Sequence, residues 1–218
     1  MPLLANAMLF DLDGVLADST ASVNRSWSAW ARRVGLDPVE LLAKVHGRRA
    51  IDTVRAVRPE LDAEEELDFL IGLETTDNDD VVPIPGAREL LRSLPADAWA
   101  VVTSGIRVVA AARLTAAGIP LPQIIVSAES VARGKPDPEG YLLGAEKLGV
   151  TPGECVVVED APAGAAAARA AGMRLLALTT THAEADLQPA DLVAADLSHV
   201  VLHLSNGSGA RLELRAKD

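Results

Sequence analysis

The feature that most constrains this chain is a change of period near Pro85. From there to Leu178, short apolar runs alternate with helical patterns. Trp99-Ala100-Val101-Val102, Gln123 to Val126, Cys155 to Val158 and Arg174 to Leu178 read as strands. Ala87 to Leu94, Arg107 to Ala117, Pro138 to Leu148 and Ala163 to Ala171 read as helices, with Gly118, Gly149 and Gly172 placed to end the last three. This alternation predicts a parallel sheet buried under helices on both faces and joined by right-handed crossovers. Ala7 to Phe10 is a further apolar run and adds a strand at the start. The fold class expected is α/β, with a Rossmann-like parallel-sheet core.

Between that first strand and Pro85 nothing alternates. Val23, Trp27, Trp30, Ala31 and Val34 share one helical face, which Ser19 or Thr20 can cap and Gly35 can end. Shorter helical patterns follow through Leu41, Leu42 and Val45, through Ile51, Val54 and Val57, and through Leu67, Leu70 and Ile71. Residues 17–82 therefore read as a separate helical bundle inserted into a sheet domain made of 1–16 and 83–218. Acidic Thr76-Asp77-Asn78-Asp79-Asp80 and Pro83-Ile84-Pro85-Gly86 mark its exit. In the tail, Val200 to Leu204 and Arg211 to Leu214 read as a hairpin with a loose turn.

Composition narrows the partners. A net charge of −11 over 218 residues offers no basic stripe for a nucleic acid or an anionic membrane. Cys155 is the lone cysteine and opens an apolar run, so it reads as a small core residue in a reducing compartment. The start carries no basic leader and no apolar stretch approaches spanning length. A soluble cytoplasmic protein is expected, monomeric or at most weakly dimeric.

The chemistry is carried by what stands at the strand ends. Phe10-Asp11-Leu12-Asp13-Gly14 places two carboxylates two residues apart, on one face if the strand continues, where open α/β sheets bind ligands. Neighbouring carboxylates repel and need a countercharge or a shared proton; as a countercharge Mg²⁺ suits best, since it commonly bridges carboxylates to a phosphate. Asp11 can then attack phosphorus while Asp13 trades protons. Thr103-Ser104-Gly105 offers a hydroxyl and successive backbone N–H groups as an anion cradle, or Thr103 is simply a helix cap. Lys135, in Arg133-Gly134-Lys135-Pro136-Asp137-Pro138, can pair with a carboxylate and a phosphate oxygen. Asp160 can complete the metal's carboxylate set, with Glu159 bound through water or holding Lys135. Each has a bland alternative as a turn, cap or surface residue. Together they make the inventory of phosphoryl transfer.

These motifs, with Asp18-Ser19 after the first and Val156-Val157-Val158-Glu159-Asp160-Ala161-Pro162-Ala163-Gly164 as the last, resemble those of the haloacid dehalogenase-like hydrolase superfamily. The likeness runs from about Ala5 to Leu178 and is to the small sugar-phosphate phosphatases with a helical cap after the first motif. It implies Asp11 as the nucleophile that becomes an aspartyl-phosphate, and Asp13 as general acid/base whose backbone carbonyl touches Mg²⁺. It implies Thr103 and Lys135 as phosphate binders, and Asp160 as a metal ligand with Glu159 beside it.

Within residues 17–82, His46-Gly47-Arg48-Arg49 with Asp52, and Val23-Asn24-Arg25-Ser26-Trp27, resemble phosphatases of deoxyhexose and glycerol phosphates. That likeness implies Arg48 and Arg49 reaching a polyol or a second phosphate, against the alternative of a basic helix start. The substrate implied is a small phosphate ester. A β-phosphoglucomutase-like sugar phosphomutase is the rival enzyme, disfavoured because Val23 stands where related mutases carry histidine. A phospho-accepting receiver-like module is the non-enzymatic rival, disfavoured by the large insertion. His46, His182, His199 and His203 do not form a metal set.

Overall fold

The computed structural model describes residues 2–45, 47–207 and 209–216. Strands β1 (Leu3–Ala5) and β2 (Ala7–Phe10) come first, and every residue of β2 is buried. A tight turn through Asp11 to Gly14 leads to β3 (Ala17–Asp18) and then to helices α1 (Thr20–Arg33), α2 (Pro38–Leu42), α3 (Ala50–Val57) and α4 (Ala63–Thr76). The chain returns through β4 (Val82–Pro83), which pairs antiparallel with β3, Asp18 opposite Val82. The helical segment thus leaves and re-enters through a two-stranded neck.

Helix starts follow local chemistry. Asp37 caps α2 by accepting from the N–H groups of Val39 and Glu40, and Asp62 caps α4 through Glu64 and Glu65. Ser19 precedes α1 but its side chain does not cap the helix. The helices enclose an apolar cluster of their own, with Trp27 and Trp30 edge to face at 5.6 Å beside Leu41, Val54 and Leu70. The Trp30 indole N–H, fully buried, donates to Glu66 at 2.8 Å. Arg25 forks to Asp77 and Asp80 at 2.7 Å each, tying α1 to the returning chain.

The remainder alternates as expected: α5 (Ala87–Ser93), β5 (Trp99–Val102), α6 (Arg107–Ala116), β6 (Ile125–Val126), α7 (Glu139–Leu148), β7 (Cys155–Glu159), α8 (Pro162–Ala170), β8 (Arg174–Leu178) and β9 (Leu192–Ala194). All pairings in this sheet are parallel, and the spatial order is β6-β5-β2-β7-β8-β9. The pleat sends Phe10, Val101 and Val158 to one face, under Leu90, Leu91 and Leu114 of α5 and α6. Leu9, Val102 and Val157 go to the other, under Tyr141, Ala145 and Ala168 of α7 and α8. Both faces are covered, which is why these strands read as unbroken apolar runs. The chain steps from β2 to β5 on one side and later to β7 on the other. That reversal leaves a crevice beyond the carboxyl end of β2.

Two differences from the sequence reading concern edges. β6 is confined to Ile125–Val126, shorter than the run from Gln123. The tail does form an antiparallel hairpin, β10 (Val200–Gly207) and β11 (Gly209–Ala216), but β11 also pairs with β1, Leu3 opposite Leu214. Residues before Ala7 are strand because a partner from the far end of the chain reaches them. Among the described residues, no helix is long and apolar enough to cross a membrane.

Candidate active site

β2 stops at Phe10, so Asp11 and Asp13 do not share a strand face. The turn brings them together instead. The Asp11 N–H donates to the Val158 carbonyl at 3.0 Å, and the Gly14 N–H to that of Ala17 at 2.8 Å. Gly14 has φ +81°, and a Cβ there would also run into the Asp160 carboxylate, so glycine is required twice over. Thr180 holds the turn from outside by donating to the Gly14 carbonyl at 2.6 Å. Asp11 and Asp13 both line a chamber of about 80 Å³.

Lys135 reaches Asp11 from the loop after β6, lining a neighbouring cavity and not the chamber itself. Its ammonium lies 2.8 Å from Asp11 and 2.6 Å from Glu159, with the side chain 5% exposed. Both Glu159 oxygens are occupied: Oε1 by Lys135 and by the Tyr141 hydroxyl at 2.7 Å, Oε2 by the N–H groups of Asp160 and Ala161 at 3.0 and 3.2 Å. Of the two roles the sequence allowed Glu159, this is the lysine-holding one. Gly164 makes room, since a Cβ there would overlap the Glu159 carboxylate.

Oxygens of Asp11, Glu159 and Asp160 lie within 4.8 Å of one another, all buried. Burial, reinforced by Glu159 and Asp13 and opposed by Lys135, pushes Asp11 up to about 7. Burial, with Glu159 and Asp11 beside it, raises Asp160 well above the usual range. Burial disfavours the charge on Lys135, but Asp11 and Glu159 outweigh it and hold the ammonium above the ordinary lysine range. One ammonium among three carboxylates leaves the group short of positive charge. Asp160 Oδ2 accepts from the Thr181 hydroxyl, whereas its Oδ1 is buried with no hydrogen-bond partner. Orphaned carboxylate oxygen, excess negative charge and hard oxygen donors suit a small divalent cation such as Mg²⁺.

Thr103 follows β5, is 6% exposed, and accepts the Gly105 N–H at 3.0 Å. It caps no helix: α6 starts after Ile106, with no side-chain cap. Ser104 and Gly105 also line the chamber, but the Ser104 hydroxyl donates to the Gly47 carbonyl at 2.9 Å, across to the inserted helices. Arg48 lines the chamber; Arg49 does not. Arg49 pairs with Asp52 at 2.7 Å and donates to the carbonyls of Val131 and Ala132 at 3.0 Å each, a strut onto the loop before Lys135. The sequence reading has Arg49 reaching substrate beside Arg48; in the structure these three partners engage most of its N–H groups. His46 lies outside the described residues. Val23 and Trp27 close the chamber from α1.

The family model described as haloacid dehalogenase-like hydrolase matches residues 5–172. The chain belongs to that family. Hexitol phosphatase A of Escherichia coli (strain K12) is 46% identical over 199 residues, 89% of this chain and 92% of the relative. The 2-deoxyglucose-6-phosphate phosphatase 2 of Saccharomyces cerevisiae is 32% identical over 230 residues, 94% of each chain. A solved hydrolase from Pseudomonas syringae has a TM-score of 0.78 at 27% identity, covering 88% of this chain and 94% of that one.

Sequence reasoning missed Arg113, Glu74 and Tyr141 in this haloacid dehalogenase-like hydrolase. Arg113 donates to Asp13 at 2.8 Å and lies 3.4 Å from Glu74. Its signal was available: Val109, Ala110, Arg113 and Leu114 form the buried stripe of α6, and a charge on such a stripe needs a partner. Tyr141 gave no signal, since a tyrosine on an apolar helix face reads as core. Ser19 was one of two residues read as able to cap α1, and its hydroxyl goes to Asp13 instead.

Proposed function

We propose that this hydrolase is a Mg²⁺-dependent phosphatase of a small sugar or polyol phosphate, working through an aspartyl-phosphate on Asp11. In the first half-reaction an Asp11 oxygen attacks phosphorus, the ester P–O bond breaks, and Asp13 gives its proton to the departing alkoxide. In the second, Asp13 takes a proton from water as that water attacks the phosphoaspartate, releasing inorganic phosphate and restoring Asp11. Lys135, the Thr103 hydroxyl and the backbone N–H of Ser104 hold the phosphoryl oxygens as charge builds, with the Gly105 N–H holding Thr103. Mg²⁺ would be held by Asp11, Asp160 and the backbone carbonyl of Asp13, and supplies positive charge for the phosphoryl group. Glu159 keeps Lys135 aimed, helped by Tyr141.

The observation that carries this reading is the convergence of Asp11, Thr103, Lys135 and Asp160 at one end of a parallel sheet. Residues 17–82 act as the lid that closes over that end, excluding water during the first step. The substrate class is supported by the printed activities of the two relatives, a hexitol phosphatase and a deoxyglucose-phosphate phosphatase. Val23, apolar and facing the chamber, offers no proton relay of the kind a mutase histidine would supply.

The test is phosphate release from hexose, deoxyhexose, hexitol, pentose and glycerol phosphates, with Mg²⁺ or EDTA, for the wild type and Asp11→Asn. Turnover that needs both Mg²⁺ and Asp11 is expected. Isomerised sugar phosphate without free phosphate would make it a mutase; no turnover, with Asp11 still phosphorylated by a small donor, would make it a receiver-like module.

A further inference from the structure

Each Asp13 oxygen accepts one hydrogen bond and keeps a second lone pair for the reacting groups. Oδ1 accepts from the Ser19 hydroxyl at 2.5 Å and Oδ2 from Arg113 Nη1 at 2.8 Å. Ser19 stands at the entry to α1, and Arg113 comes from α6 beneath the sheet. The Arg113 side chain is 4% exposed, and an ion there is tolerated only beside opposite charge. Its other terminal nitrogen, Nη2, lies 3.4 Å from Glu74 Oε2 on α4. Glu74 in turn lines the chamber together with Trp27 of α1. A chain of contacts therefore runs from the inserted helices, through Glu74 and Arg113, to one carboxylate of the turn.

We infer that Arg113, seated on Glu74, is a positioning residue for Asp13. The inference rests on the phosphatase reading, in which Asp13 must meet the leaving oxygen in one step and the attacking water in the next. A carboxylate on a turn has several rotamers, and a two-sided clamp selects one. Arg113 and Glu74 both line the chamber, and the ion pairs Arg113 makes are with Asp13 and Glu74, not with Asp11, so its contact with the reacting groups runs through Asp13. Because Ser19 and Glu74 both belong to the inserted segment, the clamp is complete only when that segment is seated on the sheet domain.

A leaving-group comparison separates positioning from mere support. Four proteins are compared, wild type, Glu74→Gln, Arg113→Lys, and Arg113→Met combined with Glu74→Gln, which removes one charge of each sign. Each is assayed with glycerol phosphate, whose alkoxide needs a proton to leave, and with p-nitrophenyl phosphate, whose phenolate does not. Folding is checked by circular dichroism.

For the double variant, kcat on glycerol phosphate is expected to fall about a hundredfold or more, the scale of acid/base catalysis, with KM little changed. Its pre-steady-state nitrophenolate burst should stay within about threefold of wild type in rate. Arg113→Lys should recover part of the loss, and Glu74→Gln, the mildest change, should show the same split to a smaller degree. Equal losses on both esters would reduce Arg113 to a structural ion and overturn the inference, as would no loss on either. If glycerol phosphate is not turned over, the best sugar or polyol ester of the wider panel takes its place, and a wild type that turns over none of them would instead remove the phosphatase reading and the inference with it.

Discussion

Replacing Lys135 with methionine removes the ammonium from between two buried carboxylates while keeping most of the side chain's volume. At an effective dielectric of about 20, each contact contributes about 6 kcal/mol of attraction, Asp11 at 2.8 Å and Glu159 at 2.6 Å. Burying the ammonium offsets several kcal/mol of that sum, and breaking such a buried pair costs about 3–5 kcal/mol net. For a chain of this length each kcal/mol lowers Tm by about 2–4 °C, so a drop of about 6–20 °C is expected in EDTA by circular dichroism. The unpaired carboxylates also make the loss depend on pH. Asp11 already has a folded value of about 7, above its unfolded value, and losing Lys135 raises it further. A carboxyl raised in this way binds more protons folded than unfolded. Stability therefore falls as pH rises from about 4 through the folded value, and the deficit of Lys135→Met should be smaller at pH 5 than at pH 8. A Tm within about 3 °C of wild type at pH 8, half the smallest expected shift, would refute Lys135 as the buried countercharge.

Three further outcomes follow from the same geometry. Mg²⁺ should raise the wild-type Tm, and Asp160→Asn should remove most of that rise in the same scan, since Asp160 supplies the orphaned buried oxygen. Gly144→Ala should destabilise by about 1–2 kcal/mol in urea unfolding, because the new methyl meets Leu9 Cδ2 at 2.9 Å and Val102 Cγ2 at 3.1 Å, and crowding outweighs the gain in helix propensity. Burial, with Glu154 nearby, pushes the Cys155 thiol up to about 11, so a disulfide reagent at pH 8 should find no reactive thiol in the native protein and one after denaturation.

Much of the fold is local and was readable as such. The apolar runs of β2, β5, β7 and β8, the glycines that end α7 and α8, and the Asp caps of α2 and α4 each depend on a few neighbouring residues. The candidate site was readable to the same depth. Asp11, Thr103, Lys135 and Asp160 stand out because each is polar at a place where a short apolar run, or the loop after it, ends. Their partners were not readable. Glu159 faces Lys135 and Tyr141 because α7 packs over β5 and β2, next to β7, and Arg49 turns to the carbonyls of Val131 and Ala132 because the inserted helices rest on that loop.

By itself, then, the sequence determined the alternation, the insertion's helical character and the acids, hydroxyl and lysine at the strand ends, since periodicity, turn chemistry and capping act over a few residues. Only the tertiary structure decided that β1 joins β11, that Ser19 serves Asp13 and not a helix, and that Arg113 spans Asp13 and Glu74. Those partners lie far apart along the chain or compete for one hydroxyl. Which of them meet is settled by how the sheet and the inserted helices pack, where burial makes every unpaired charge costly.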